Sequence, residues 1–173
     1  MPSTYQAPTR GDMEKPSTRS QTLKTNVAKD NTTVKNIIDQ KGDAVFTVKT
    51  NDSIADAVSL LQDKGIGALV VTDANGLMQG ILSERDIVRK LAQTPGETLA
   101  HKVSDVMTSN VVSCTSHEAL VTVLQRMTDG RFRHMPVVDN GQLKGMVTIG
   151  DVVKFRLTEL EHEALQLKQL IVG

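Results

Sequence analysis

One heptapeptide pattern occurs twice in this chain, and no other feature constrains its fold as much. Gly80-Ile81-Leu82-Ser83-Glu84-Arg85-Asp86 returns as Gly145-Met146-Val147-Thr148-Ile149-Gly150-Asp151: glycine, two apolar residues, a hydroxyl, two variable positions, aspartate. In each copy an apolar run ends at the hydroxyl and a helical pattern starts near the aspartate. Each aspartate is therefore expected at a strand-to-helix junction. There the first backbone N–H groups of the helix lack intrahelical partners and can meet an anion.

The repeat extends well beyond this motif, and a missed repeat miscalls a fold. Val45-Phe46-Thr47-Val48 aligns with Val111-Val112-Ser113-Cys114, both predicted as short apolar strands. Ile54, Ala57, Val58 and Leu61 follow at helical spacing, matched by Leu120, Val123, Leu124 and Met127. Ala68 to Val71 matches His134 to Val137 as a second strand. The turn sequences Asp73-Ala74-Asn75-Gly76 and Asp139-Asn140-Gly141 differ by one inserted residue. A third strand then leads to the junction and a helix. Each half reads strand-helix-strand-strand-helix and buries too little to stand alone, so the halves are expected to pack together in an α+β fold.

The pattern divides the chain into a polar tail over 1–33, a first unit over 34–98, a second over 99–158 and a helical extension over 159–173. The tail holds Pro2, Pro8 and Pro16 among many Ser and Thr, and its lack of apolar periodicity predicts disorder. The last helix carries an apolar stripe that could pack on the domain or on a second subunit. Twenty basic and twenty acidic residues cancel, which argues against a dedicated nucleic-acid binder. Cys114 is the single cysteine, so neither an intrachain disulfide nor a cysteine metal cluster is expected. No apolar run reaches the roughly 18 residues of a membrane span, and no charged-then-apolar signal opens the chain. The expectation is a cytoplasmic protein without a metal.

The repeat resembles the tandem cystathionine-β-synthase (CBS) domain pair, or Bateman module, as found in stand-alone CBS-domain proteins. Ile66 to Val71 with Gly80 to Asp86 carry the likeness in the first unit. Arg133 to Asp139 with Gly145 to Asp151 carry it in the second, and Asp105-Val106-Met107-Thr108 resembles the segment that opens a second unit. The resemblance implies two pseudo-twofold-related units packed as one module. It implies clefts that take adenosyl ligands such as AMP, ATP, NAD(H) or S-adenosylmethionine, homodimers of modules, and a regulatory, non-catalytic role toward a protein partner.

On this footing Asp86 and Asp151 are expected to accept hydrogen bonds from ribose hydroxyls, and Ser83 and Thr148 to donate to a phosphate. Spacing alone reads equally well as helix capping, since Ser/Thr-x-x-Asp resembles a capping box, and the two roles can coexist. By family analogy each cleft mixes units. Asp86 would face Thr108 and Phe132, Arg133, His134 and Met135, while Asp151 would face Lys41, Gly42, Ile66, Gly67 and Ala68. Small Gly67 and Ala68 would let the backbone approach a flat adenine. Arg85 occupies the position that Gly150 holds in the second unit, so a phosphate clamp is expected in one cleft and not the other. His134 reads equally as a satisfied interior histidine. An enzyme acting on the nucleotide, a nucleic-acid adaptor built on Arg131 and Arg133, and an empty dimerisation scaffold are the rival functions. The first lacks a convincing base or nucleophile, the second lacks aromatic stacking platforms.

Overall fold

The computed structural model describes residues 32–172; most of the expected tail, over 1–31, lies outside the described residues. The chain runs α1 (Val34–Lys41), β1 (Thr47–Lys49), α2 (Ile54–Lys64), β2 (Ala68–Thr72), β3 (Met78–Ser83) and α3 (Glu84–Gln93). Two single 3-10 turns, Thr98–Ala100 and Val103–Asp105, lead into α4 (Leu120–Gly130), β4 (His134–Asp139), β5 (Gln142–Thr148) and α5 (Ile149–Val172). In the first sheet β1 pairs parallel with β2, and β2 antiparallel with β3. In the second, β4 and β5 are antiparallel, and the strand expected at Val111–Cys114 contracts to one parallel bridge, Cys114 to Val137. The backbone there still follows the repeat: Cys114 N–H donates to Pro136 at 3.0 Å and Val138 N–H to Cys114 at 2.8 Å.

Local sequence explains the element ends. Ser53 caps α2, its hydroxyl accepting from the Asp56 N–H at 3.1 Å while the Asp56 carboxylate takes back the Ser53 hydroxyl at 2.6 Å. Gly65 ends α2 in the left-handed conformation at φ 61°, a backbone that glycine adopts without a Cβ penalty. The equivalent position after α4 is Arg131, left-handed at φ 55°. A non-glycine residue costs about 1 kcal/mol there, and what holds Arg131 becomes visible in the site below.

The packing exchanges segments between the halves. Val48, Ile54, Leu69 and Leu82 form a core with Val103, which lies beyond the first unit in sequence. Leu120, Val123, Met135 and Val147 form the other core with Val34 and Ile37 of α1. Val34 and Val103 are both fully buried and hydrogen-bonded alike, the first to Glu118 at 3.0 Å, the second to Asp52 at 2.9 Å. Burying each contributes roughly 1.5–3 kcal/mol. Division of the chain near residue 98 follows its succession; the cores take one opening segment each from the opposite half.

This exchange explains the motif glycines. A Cβ on Gly80 would stand 2.8 Å from the Thr108 carbonyl oxygen and 2.9 Å from the Met107 sulfur. A Cβ on Gly145 would stand 2.6 Å from Cδ1 of Ile38. In both units an exchanged segment crosses directly over the third strand at this glycine, with backbone over Gly80 and the Ile38 side chain over Gly145.

Candidate functional site

The crossing segment also builds a cleft. Thr108 pairs with Ile81, donating its N–H at 2.9 Å and accepting from the Ile81 N–H at 3.0 Å. That bridge places the Thr108 hydroxyl 3.4 Å from Oδ1 of Asp86. Ser83 closes β3 and caps α3. The Asp86 Oδ2 accepts the Ser83 N–H at 2.9 Å and its hydroxyl at 2.6 Å, so the expected capping role is real. It occupies one carboxylate oxygen and leaves Oδ1, with its single long contact, facing the cleft. A carboxylate has acceptor capacity for further hydroxyls there.

The cleft measures about 390 Å³, within the range of small-molecule sites. Its charged and hydroxyl lining comes from Ser83, Glu84, Arg85, Asp86, Arg89, Thr108 and Arg133; Ile81, Val111, Val112 and Phe132 supply apolar surface. Phe132 reaches the cleft because α4 ends in Gly130, where a Cβ would stand 2.2 Å from the ring. Arg85 donates from Nη1 to the Arg131 carbonyl at 2.6 Å. The left-handed turn at Arg131 therefore aims its carbonyl at a guanidinium on the opposite unit, a charge-assisted bond that offsets the backbone cost. A guanidinium carries five N–H donors, so this contact does not exhaust Arg85.

His134 opens β4 at the seam of the units. Its ring lies beside Gly67, where a Cβ would stand 3.2 Å from Cε1, and the Glu84 carboxylate approaches the same point. Burial, and then the Lys41 charge, hold its pKa below the ordinary value, with Glu84 and Asp151 opposing. A neutral imidazole at neutral pH follows.

The second carboxylate is differently partnered. Asp151 Oδ2 accepts the Thr148 N–H at 2.9 Å and the Lys41 ammonium at 2.7 Å. Lys41 also donates to the Met146 carbonyl at 3.3 Å. Burial raises the Asp151 pKa, but the Lys41 and Thr148 hydrogen bonds outweigh it and the net shift is downward. The cavity beside it, about 570 Å³, runs between α1 and α5 and is lined by Gln40, Lys41, Asp151, Lys154, Phe155 and His162 among others.

The family profile of the CBS domain matches residues 29–93 and 103–158. The chain belongs to the CBS domain family. It is 32% identical over 152 residues to the mitochondrial CBS domain-containing protein CBSX3 of Arabidopsis thaliana, covering 83% of this chain and 74% of that protein. A CBS-domain containing protein from Agrobacterium tumefaciens is 46% identical with a TM-score of 0.71, over 72% of this chain and 99% of that one. The CBS domain pair of protein MJ0100, solved in complex with 5′-methylthioadenosine and S-adenosyl-L-methionine, is 28% identical with a TM-score of 0.66. That match covers 74% of this chain and 98% of the other. The fold is thus an α+β Bateman module of two CBS units.

Within this CBS pair the first cleft gathers Ser83, Arg85, Asp86, Thr108, Phe132, Arg133 and His134 as expected by sequence, and it takes Gly67, which was expected to face Asp151. Met135 is corrected: its side chain is fully buried in the second core. Side chains alternate along a strand, so if His134 faces the cleft its neighbour cannot. Ala68 is likewise buried in β2, and Ile66 lines a groove between α2 and α3 instead. Gly42 ends α1 at φ 90°, and Gly150 lies exposed in the first turn of α5. Arg89, Asn110, Val111 and Val112 line the cleft without having been singled out. For Arg89 a signal existed: it follows Arg85 by four residues and so shares its helix face. Among the described residues no His, Cys, Asp and Glu group forms a metal site, and no helix is long and apolar enough to cross a membrane.

Proposed function

We propose that this CBS pair is a sensor for an adenosine-bearing ligand, held in the cleft between Asp86 and the Arg131–His134 segment, and regulates a protein partner without catalysing a reaction itself. The observation that carries the reading is the shape of this cleft's chemistry. A carboxylate with one oxygen facing inward suits a ribose diol, an apolar wall suits a purine, and three guanidinium groups suit phosphates. The MJ0100 pair, of the same fold, is known with two adenosyl compounds bound. The Ser83 hydroxyl that donates to Asp86 also accepts the Asp86 N–H within the helix cap, a structural use of the pair that favours binding over turnover.

Arg85 aligns with Gly150 and Asp151 is already paired with Lys41, so the Asp86 cleft is the preferred phosphate-bearing site. Ligand at Asp151 would compete with an ion pair; ligand at Asp86 would compete with one long hydroxyl contact. Calorimetric titration with AMP, ATP, NADH and S-adenosylmethionine, with GMP as control, tests this. Adenine-selective binding is expected, weakened in Asp86→Ala by about 1–3 kcal/mol and less in Asp151→Ala. Wild-type affinity in Asp86→Ala rejects the ribose assignment, and no binding to any of the compounds favours an empty dimerisation scaffold.

A further inference from the structure

The long final helix carries more apolar surface than the module covers. Its first turns pack against α1, α4 and β5 through Ile149, Val152 and Phe155. A second stripe, Val153, Leu157, Leu160, Ala164, Leu167 and Ile171, lies about a quarter turn away at 100° per residue. These six positions alternate strictly four and three apart, the spacing of the two core positions of a coiled-coil heptad. All six are exposed, from 43% at Val153 to 82% at Ile171. A single apolar side chain on a surface needs no explanation; a continuous seam in register does.

The charges beside the seam choose its occupant. With Leu157, Ala164 and Ile171 at a and Val153, Leu160 and Leu167 at d, the g positions hold Arg156 and Glu163 and the e positions hold Lys154, Glu161 and Lys168. In a parallel pair of identical helices, each g residue meets the e residue five positions later on the partner. Arg156 then meets a glutamate at 161 and Glu163 meets a lysine at 168, each contact made twice by symmetry. In the antiparallel pairing that matches a to d layers, Lys154 instead meets Lys168, and Glu161 and Glu163 each meet themselves. Every such contact between charges repels.

We infer that α5 forms a parallel, in-register coiled coil with α5 of a second copy of this chain. Arg156 keeps its intrachain contact with Glu159 at 2.9 Å, on the side toward the module. The inference concerns a surface remote from the first cleft and stands whatever that cleft binds.

Two measurements on the full chain test it. Sedimentation equilibrium should show a dimer that Leu160→Glu weakens by about tenfold or more, since a charge enters the middle of the seam. Lys168→Glu should weaken it roughly four- to thirtyfold, because it turns two attractive contacts into repulsive ones. Glu163→Lys combined with Lys168→Glu should restore it. An antiparallel pair would instead tighten in Lys168→Glu. Leu167→Cys, oxidised with copper phenanthroline, should form a disulfide-linked dimer, because a parallel pair sets position 167 against itself. A monomer at all concentrations overturns the inference. So does a dimer that survives Leu160→Glu unchanged and yields no cross-link at 167, which would place the interface on the module.

Discussion

The two motif glycines are identical in sequence and unequal in surroundings, so the same substitution in each gives unequal results. In Gly80→Ala the new methyl meets the Thr108 backbone oxygen at 2.8 Å, and backbone cannot rotate away. The crossing segment must move, straining the two Ile81–Thr108 hydrogen bonds of 3.0 and 2.9 Å. Overpacking costs about 1–3 kcal/mol and each hydrogen bond is worth about 0.5–1.5 kcal/mol, against roughly 0.5–1 kcal/mol gained by removing glycine's chain freedom. The net expectation is a loss of about 2 kcal/mol. In Gly145→Ala the methyl meets only Cδ1 of Ile38, the mobile end of a side chain that can change rotamer. That loss should stay below about 1 kcal/mol. Urea unfolding at neutral pH measures both through the midpoint at constant slope. Because Thr108 borders the cleft, Gly80→Ala should also weaken adenosyl-ligand binding while Gly145→Ala leaves the first cleft unaltered. Equal destabilisation, or a larger effect at Gly145, would refute the argument from crossing segments.

Three further outcomes follow from charge and burial. Asp151 has a pKa below its ordinary 3.8, so its ion pair with Lys41 contributes stability above that value and loses it as pH falls through the lower folded value. The stability difference between wild type and Lys41→Met should therefore shrink on acidification below about pH 3.8, as read by urea unfolding at stepped pH. His134 also titrates below its ordinary 6.5, first because it is buried and then because Lys41 is near. Below pH 6.5 the unfolded chain binds the proton more readily, so stability is present above pH 6.5 and falls as pH drops through the folded value; His134→Gln should flatten that slope. Cys114 is buried against β4 with its pKa pushed up to about 12, first by burial and then by Glu118. A thiol reagent should label it in native protein at a rate that tracks unfolding, with prompt labelling only in denaturant.

Much of the architecture is legible in one dimension because period and punctuation are local properties. The spacing of Ile54, Ala57 and Leu61 makes α2, and the same spacing at Leu120, Val123 and Met127 makes α4, whatever lies around them. The Ser83–Asp86 cap is also local, three residues from donor to acceptor. Met135 was misread because a contiguous segment was assigned to the cleft whole, although strand alternation sends every second side chain to the core. The short apolar strand expected at Val111–Cys114 contracts to one bridge at Cys114, while Val111 and Val112 line the cleft instead.

The sequence by itself determined the repeat, the two hydroxyl–aspartate junctions, the imbalance between Arg85 and Gly150, and an apolar stripe on the last helix. Only the tertiary structure decided which half completes which core, since Val34 and Val103 carry no local mark of the partner they bury against. It also decided that Lys41 closes on Asp151 while Arg85 reaches the Arg131 carbonyl. Both contacts join residues far apart in the chain, and such pairings depend on how two sheets and an exchanged segment meet, which no periodicity along the sequence encodes.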